Sequence, residues 1–363
     1  MGFSKEKILY LLFLFSLAAK SAAQVGFKCT QNPSSTCNSL VGYKTPNATT
    51  LFHLQNFFGV KDLNSLLGAN NLPFSTPSNY TIKKDAVVKI PFPCKCSNGT
   101  GVSDGKQIYT VQKDDGLFYI ANNVYMGLVT YPQIQEFNRI PNADRITVGQ
   151  KLRIPLPCSC DEVEGERVVH YGHLVEEGST TAEIAKDFGT TDDVLFKLNG
   201  IANDSQLIAG TTIDIPLKAC NSSVSTTSID YPLLVPNGTY FFTANSCVKC
   251  NCDAANNWTL QCEPSGFRPA AKSTWSTCPS MRCDGATSLL LSNTTTTGCN
   301  TSTCAYAGFS SQNILTTLAT VSTCPATGPG IESPDDNYAS RISLSWSFLR
   351  ISLPLIMLSV HLN

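Results

Sequence analysis

The feature that most constrains this chain is a motif that occurs three times: an isoleucine, a proline and an apolar residue, followed closely by cysteine. The three isoleucines, Ile90, Ile154 and Ile215, are 64 and 61 residues apart. A fixed spacing of this size indicates a small module copied three times rather than one large core. Two copies end in a Cys-x-Cys pair, at residues 94–96 and 158–160. This predicts that disulfides hold the copies in one compact block.

Each copy has the pattern of a strand, two helices and a second strand. In the second copy, residues 108–111 alternate like a strand, and Leu117 begins an apolar helical face. A second helix is predicted over residues 131–138, before a closing strand at residues 148–154. The third copy repeats this order and has a capping box at residues 180–183. The fold class is therefore α+β: three small β-α-α-β units packed together by disulfides, followed by a cysteine-rich, loop-dominated module.

Both ends of the chain have the features of an exported, anchored protein. Residues 1–23 combine a positive start, an apolar stretch and small residues, which predicts a cleaved signal peptide. Residues 326–363 hold small residues, a polar spacer and an apolar tail followed by neither Lys nor Arg. This pattern is typical of a glycosylphosphatidylinositol (GPI) anchor signal, with Asn337 as the preferred attachment residue. A single-pass membrane anchor is the weaker alternative.

Composition narrows the partners and the chemistry. The 16 cysteines are an even number, and in an exported chain they predict disulfides rather than zinc sites or catalytic thiols. The formal net charge is −1 and no basic patch is present, so neither nucleic acid nor anionic lipid is an expected partner. Asn-x-Ser/Thr sequences predict a glycosylated surface. Their asparagines are Asn47, Asn79, Asn98, Asn203, Asn221, Asn237, Asn257, Asn293 and Asn300.

No arrangement of residues predicts catalysis. The acidic residues of segment 161–166 lie in a linker, and His170 and His173 have no third ligand or nucleophile near them in the sequence. We therefore expect a binding protein, not an enzyme, without a cofactor or metal. The predicted segments are a signal peptide (1–23), the N-terminal cysteines with the first unit (24–107), the second unit (108–158), the third unit (168–220), the cysteine-rich module (221–325) and the spacer with anchor signal (326–363).

Several short patterns connect the repeats to a known family. The second copy carries them at residues 109–111, 115–117, 137–138 and 148–155. The third copy carries counterparts at residues 178–180, 184–189, 198–199 and 213–216. These patterns resemble LysM repeats. Three such units separated by Cys-x-Cys pairs, with an added cysteine-rich module, an anchor signal and no kinase domain, are similar to the plant LysM-domain GPI-anchored proteins. Two stretches narrow the resemblance to the chitin-binding members: residues 114–121 and 242–250.

The resemblance also implies a disulfide pattern. Sequence alone leaves 15 pairings of the six N-terminal cysteines. In the family these cysteines join the three units, which by position implies the pairs Cys29–Cys96, Cys37–Cys160 and Cys94–Cys158. Cys220 then pairs within the cysteine-rich module, where five bridges are expected and their connectivity stays open.

The resemblance further implies polymers of N-acetylglucosamine as ligands, held in a shallow groove between two loops. In the second copy these loops are residues 112–117 and 139–146, and the middle unit carries the ligand in related chitin receptors. Potential glycans at Asn47 and Asn203, in the corresponding loops of the outer units, also favour the middle one. The expected groove residues are Asp114, Gly116, Leu117, Ile140, Pro141, Asn142 and Ile146. For each, a cap, a turn or a place in the core is an equally good interpretation.

The function that the resemblance implies is that of a pattern-recognition receptor of plant innate immunity. It would sit on the extracellular face of the plasma membrane through its lipid anchor and bind chitin oligosaccharides. Because such a protein has no cytoplasmic segment, it would signal through a LysM receptor-like kinase, and one long oligosaccharide could also bridge a ligand-induced homodimer. The alternatives are a peptidoglycan-binding LysM receptor and a wall-binding protein that does not signal.

Overall fold

A computed structural model describes residues 26–30, 36–270 and 273–322. The predicted signal peptide and the anchor signal with Asn337 lie outside these residues. The first part of the chain runs through three strands and two short helices, then through a two-residue strand to a long strand and its return. Its elements are β1 (Phe27–Lys28), β2 (Thr36–Lys44), β3 (Thr49–Thr50), α1 (Leu51–Phe57), α2 (Leu63–Ala69), β4 (Thr81–Ile82), β5 (Val87–Ser97) and β6 (Thr100–Ser103).

The next two parts each place two helices between two strands. The second comprises β7 (Ile108–Thr110), α3, which is one α-turn (Leu117–Tyr119) continued by a π-turn (Ile120–Val124), α4 (Tyr131–Phe137), β8 (Lys151–Arg153) and β9 (Pro157–Cys158). The third comprises β10 (Val168–Leu174), α5 (Thr181–Phe188), α6 (Asp192–Asn199), a 3₁₀ turn (Asp204–Gln206) and β11 (Thr212–Lys218). The capping box predicted at the start of α5 is present, with Thr180 and Glu183 bonded to each other's backbone.

The cysteine-rich module is mostly strands and loops. It comprises β12 (Thr239–Thr243), β13 (Val248–Cys252), β14 (Gln261–Pro264), β15 (Arg282–Cys283), β16 (Ala286–Leu290), β17 (Thr294–Thr297), β18 (Asn300–Phe309) and β19 (Ile314–Ser322), with 3₁₀ turns at Ala244–Ser246 and Ala254–Asn256. The strands form small antiparallel sheets, of which β12-β13-β14 and β17-β18-β19 have three strands each.

The first and third parts share one sheet, to which the second part contributes β9, and the second part also has a two-stranded sheet of its own. The strand order of the shared sheet is β1-β6-β5-β2-β10-β11, with β9 paired to β6. Strands β2 and β10 run parallel, with Tyr171 opposite Leu40. Strands β7 and β8 pair only with each other. Backbone hydrogen bonds therefore connect the first part to the third, through β2 and β10, and to the second, through β6 and β9. Side chains and a disulfide between Cys94 and Cys158 add to the second connection.

An asparagine at the end of the second helix performs the same task in all three parts. The side chain of Asn138 accepts a hydrogen bond from Arg153 N at 2.8 Å and donates one to Arg153 O at 2.7 Å. Asn70 makes the same pair of bonds to Lys89, and Asn199 makes it to Asp214. We call this arrangement the asparagine clasp. It fixes the last strand of each part against the preceding helix.

The turn before the last strand is also repeated. Val111 exchanges backbone hydrogen bonds with this turn, donating to Gln150 O at 2.9 Å and accepting from Gly149 N at 2.8 Å. Thr45 in the first part and Val175 in the third make the corresponding bonds. The N-cap of the first helix lies the same number of residues after Thr45, Val111 and Val175. These N-caps are Thr50, Gly116 and Thr180.

One hydrophobic core spans the first and second parts. The π-turn of α3, in which Tyr125 N donates to Ile120 O, brings Tyr125 inward until it is fully buried. Its ring stacks on Phe57 of the first part, with ring centroids 4.9 Å apart. A second core lies mainly in the third part, where it contains Tyr171 and Leu195, and it also includes Leu40 and Ala69 of the first part. The aromatic contact across the boundary makes the first two parts a single packing unit.

The six N-terminal cysteines form three disulfides, Cys29–Cys96, Cys37–Cys160 and Cys94–Cys158, which are the pairs that the resemblance implies. In the module, Cys220 pairs with Cys252, Cys247 with Cys278 and Cys250 with Cys262, and Cys299 is also oxidised. Cys283 and Cys304 are buried thiols. The expectation of five bridges is therefore not met at these two residues, which face each other in the module.

The cysteine-rich module packs against the first part of the chain. Tyr240 on β12 is buried in the core shared by the first two parts, and its hydroxyl donates to Leu72 O at 2.6 Å. Gly68 on α2 allows this contact, because a Cβ at that position would lie 2.1 Å from the Tyr240 carbonyl oxygen. Phe267 extends the contact by packing edge-on against Phe74, with ring centroids 5.7 Å apart.

Candidate binding groove

The first loop of the predicted groove is a tight turn organised by Asp115. Its carboxylate accepts hydrogen bonds from the Tyr109 hydroxyl and from Gln112 N, both at 2.7 Å. Burial, together with this bond to Asp115, raises the pKa of Tyr109 well above its usual range. The helix cap expected from the acidic residues is not formed, because Gly116 is the N-cap and lacks a side chain to accept a bond. The carboxylate instead closes the turn.

Asp114 is exposed at the tip of this turn, with φ at +67°. The third part of the chain has Gly178 at the equivalent position, with φ at +83°. Aspartate is among the side chains that tolerate this left-handed backbone region. The turn therefore presents the Asp114 side chain to solvent at a position where the backbone itself requires an unusual conformation.

The second loop is a chain of short turns between α4 and β8. Asn142 begins it by accepting a hydrogen bond from Asp144 N on its side-chain oxygen at 2.9 Å. Gln150 ends it by accepting a bond from Thr147 N at 3.0 Å. The bonds between Val111 and residues 149–150 hold the end of this loop beside the start of the first one. The structure thus brings together the two loops that the sequence analysis selected.

The seven predicted groove residues differ in their access to solvent. Asp114, Pro141 and Asn142 are exposed, and Gly116 and Ile146 are partly exposed. Leu117 is 2% exposed and Ile140 is 8% exposed, and both belong to the core.

The structure corrects the interpretation of Leu117 and Ile140 as surface contacts. Leu51 and Thr181, which occupy the position of Leu117 in the other two parts, are also buried. Leu117 and Ile140 therefore support the loops from beneath, where a ligand does not touch their side chains in this conformation.

Exposed aromatic side chains beside the first loop were not selected from the sequence. Phe118 is 66% exposed, and Tyr119 and Tyr131 are also exposed. The rings of Phe118 and Tyr131 lie 6.3 Å apart between centroids, on the outer faces of α3 and α4. The helical period that places Leu117 inward also places Phe118 outward. The exposure of Phe118 could therefore have been predicted from the sequence. Aromatic faces of this kind pack well against sugar rings.

The charges of the two loops balance. The residues between Gln112 and Ile146 at this surface include three basic and three acidic side chains: Lys113, Arg139, Arg145, Asp114, Asp115 and Asp144. Balanced, solvent-exposed charge gives neither a cationic nor an anionic ligand a net advantage. The surface therefore favours an uncharged ligand that uses backbone groups and apolar contacts.

The corresponding loops of the outer parts are less accessible. In the first part, Leu72 is equivalent to Ile140, and its carbonyl is occupied by the Tyr240 hydroxyl of the module. In the third part, Thr212 donates to Gly127 O of the second part at 3.1 Å, and Gly210 lies against the same glycine. Among the described residues, the middle pair of loops receives no hydrogen bond from a neighbouring part.

A buried histidine outside the groove has a structural partner on each ring nitrogen. His170 Nδ1 lies 2.8 Å from the Asp214 carboxylate, and Nε2 lies 2.8 Å from Asp161 O. Burial disfavours the charged ring, but the carboxylate and the carbonyl outweigh it and raise the pKa of His170. With an acceptor at each nitrogen, the ring donates twice and fastens the linker to β11.

Groups of cysteines that could hold a metal ion consist, among the described residues, of sulfurs already joined in disulfides. They are Cys29 with Cys96 and Cys160, and Cys37 with Cys94 and Cys160. Oxidised sulfur does not offer the thiolate that a metal site needs. In the part of the chain that the structure describes, no helix is long and apolar enough to cross a membrane.

These features define a multi-unit LysM protein. The LysM domain family matches residues 109–155 and 173–216, which are the second and third units. LysM domain-containing GPI-anchored protein 2 of Arabidopsis thaliana is 48% identical over 356 residues, covering 97% of this chain and 96% of that one. The chain therefore belongs to the LysM domain-containing GPI-anchored proteins of plants.

Two further relatives are named for binding or receiving a chitin elicitor. Chitin elicitor-binding protein of Oryza sativa subsp. japonica is 40% identical over 347 residues, covering 93% of this chain and 92% of that one. Chitin elicitor receptor kinase 1 of Arabidopsis thaliana is 25% identical over 169 residues, or 42% of this chain and 27% of the kinase. The names of the full-length relatives agree with the prediction of a binding protein rather than an enzyme.

Proposed function

We propose that this protein is a cell-surface pattern-recognition receptor that binds chitin oligosaccharides in plant innate immunity. The observation that carries the proposal is the likeness, over nearly the whole chain, to a chitin elicitor-binding protein. The exposed, charge-balanced loops of the middle unit support it, since N-acetylglucosamine polymers are uncharged. The protein would be held by a lipid anchor at the extracellular face of the plasma membrane, in keeping with the names of its relatives.

The proposal includes three LysM units, at residues 24–107, 108–158 and 168–220, followed by the cysteine-rich module at 221–325. The first unit is the one that the LysM family does not match. The asparagine clasp at Asn70, together with the repeated turn at Thr45, supports its assignment as a third copy. The N-glycosylation sites remain part of the proposal, and all nine asparagines are exposed.

The ligand would lie between the two loops of the middle unit. Asp114, Pro141 and Asn142 would contact it directly, with Gly116 and Ile146 at the partly exposed edge. Backbone groups of the turns would pair with acetamide groups, while Phe118 would offer an apolar face to a sugar ring. Leu117 and Ile140 would act by holding the loops in place.

Signalling would require a partner that spans the membrane. A lipid-anchored protein has no segment inside the cell, so a LysM receptor-like kinase is the partner that fits the proposal. The similarity to a chitin elicitor receptor kinase over 169 residues supports related ectodomains in the two proteins. One long oligosaccharide could then bridge two ectodomains, either of this protein and the kinase or of two copies of this protein.

The test is titration calorimetry of the secreted protein with chitin oligomers and with a soluble peptidoglycan fragment. Heat from chitin oligomers, with affinity rising steeply with oligomer length, is the expected result. Heat from peptidoglycan alone would replace the proposal with the peptidoglycan receptor. No heat from either ligand would favour a wall-binding protein that does not signal.

A matched pair of variants tests the middle groove. Pro141→Arg places a bulky charge on an exposed loop residue and should reduce chitin affinity at least tenfold. Pro73→Arg makes the same change at the equivalent exposed position of the first unit and should leave chitin affinity unchanged. Equal loss in both variants, or loss in Pro73→Arg alone, would contradict the assignment to the middle unit.

A further inference from the structure

A cavity of about 520 Å³ lies between the first and third units, away from the middle groove. Its floor is one face of the shared sheet, where alternate residues of β2, β5 and β10 point the same way. Phe188 of α5 and Gly238 of the module close its sides. The floor residues are Gly42, Lys44, Val87, Lys89, Tyr171 and His173. The volume falls within the range of small-molecule sites.

Tyr171 contributes a hydroxyl to the lining of this cavity. Gly42 is what admits it, because a Cβ at that position would lie 2.0 Å from Tyr171 Oη. The side chain is 2% exposed and its residue lines the cavity. A phenolic hydroxyl can donate one hydrogen bond and accept others. The cavity therefore contains a donor that a ligand could satisfy.

Lys89 adds a positive charge that the protein does not neutralise. It stands opposite Gly42 in the pairing of β2 with β5, and the clasp from Asn70 fixes its backbone. It is partly buried and forms no ion pair with any described residue. Burial lowers the pKa of Lys89, as expected for a cation without a compensating carboxylate. Lys44, by contrast, is paired with Glu176 at 2.8 Å.

The opposite side of the cavity is aromatic. The ring of Phe188 packs against His173 and Tyr171, with centroids 5.1 and 5.4 Å away. Burial lowers the pKa of His173, which keeps its ring neutral around pH 7. The lining thus has three parts: the Lys89 cation with the Tyr171 hydroxyl, an aromatic wall, and the Lys44–Glu176 ion pair, in which the carboxylate is already compensated.

We propose that this cavity binds an acidic sugar residue, a pyranose that carries a carboxylate. The carboxylate accepts from the Lys89 ammonium group and the Tyr171 hydroxyl, while the C–H face of the ring packs on His173 and Phe188. A neutral sugar leaves Lys89 uncompensated, and a simple inorganic anion leaves the aromatic wall unused. The site is independent of the middle groove, so its failure would not affect the proposed chitin function.

A hexuronate and N-acetylmuramate share this chemistry, and titration of the secreted protein distinguishes them. The probes are D-galacturonate with D-galactose as its neutral control, and N-acetylmuramate with N-acetylglucosamine as its control. At least one acid should bind tenfold more tightly than its neutral control, and the tighter acid identifies the source. Equal affinities within both pairs, or no binding by either acid, would overturn the proposal.

Matched variants assign the binding to this cavity. Lys89→Met removes the charge with little change in shape and should lower affinity for the acid at least tenfold. Tyr171→Phe removes only the hydroxyl and should lower it threefold or more. Lys95→Met, at an exposed position six residues further along the same strand and outside the cavity lining, should bind as the unmodified protein does. Full affinity in both cavity variants, or equal loss in Lys95→Met, would place the acid elsewhere and overturn the proposal.

Discussion

At the scale of single residues, three asparagines determine how each unit closes. Asn70, Asn138 and Asn199 each bond both backbone groups of a residue in the last strand, and each also donates to the helical carbonyl four residues earlier. One amide side chain can pair with both the N–H and the C=O of a strand residue, because it has a donor and an acceptor side by side. The motif thus encodes a tertiary contact in one residue.

Asn138→Ala should destabilise the protein by about 1–3 kcal/mol, because it leaves the backbone groups of Arg153 without their partners. Urea unfolding measures the change. Asn123→Ala, at an exposed helical position, is the control and should have an effect within about 0.5 kcal/mol. Equal effects of the two substitutions would show that the clasp contributes nothing to stability.

His170 should make stability depend on pH. Its pKa is raised in the folded protein, so the native state holds a proton that the unfolded chain releases. The stabilisation is complete below the unfolded value of about 6.5 and is lost as pH rises through the folded pKa.

The melting temperature should therefore fall as the pH rises from about 6.5 through the folded pKa of His170. In the His170→Gln variant, this dependence of the melting temperature on pH should be weaker. The exposed His53→Gln is the control and should retain the slope. A slope that survives in His170→Gln would assign the effect to another group.

At the scale of elements, the docking of β12 on α2 makes the cysteine-rich module part of the LysM block. Tyr240 enters the shared core, and Gly68 gives its backbone room to approach. The same contact occupies the Leu72 carbonyl in the loop of the first unit. The module therefore acts on the units in two ways, since it completes a core and covers one of the three candidate grooves.

Gly68→Ser should destabilise the protein by about 1–3 kcal/mol, because its Cβ would meet the Tyr240 carbonyl at 2.1 Å. Limited proteolysis should then release the module more readily. Gly116→Ser is the control, since a Cβ there has nothing within 4 Å and serine is a good N-cap. Unchanged stability of Gly68→Ser would mean that the module can shift without loss.

At the scale of the whole molecule, the disulfides join segments that are far apart in sequence. Cys37 and Cys160 are separated by 123 residues and connect β2 to the linker that follows the second unit. Cys250 and Cys262 are separated by 12 residues within the module. In the chain-entropy account, the bridge that closes the longer loop restricts the unfolded chain more and stabilises more.

Replacing Cys37 and Cys160 by serine should cost about 5 kcal/mol, against about 3 kcal/mol for the same change at Cys250 and Cys262. Urea unfolding of the two double variants under oxidising conditions measures the difference. The reverse order of costs would mean that local strain or residual structure, rather than loop closure, determines their contribution.

The sequence by itself predicted the order of strands and helices in the second and third parts, which the structure has, and the positions of the two loops that border the proposed groove. These features depend on local patterns, such as the apolar period beginning at Leu117 and the turn at Gly149, which need no knowledge of distant partners. The disulfide pairs, in contrast, came from the family resemblance, because spacing alone left their connectivity open.

Only the tertiary structure decided which side chains face outward and which surfaces remain free. The helical pattern allowed Leu117 to be core or groove, and in the structure it lies in the core that the first two parts share. The π-turn that buries Tyr125, the docking of Tyr240 and the cavity at Lys89 depend on neighbours that are distant in sequence. Burial is a property of the assembled chain, so a local pattern can suggest a contact but cannot supply the atoms on its other side.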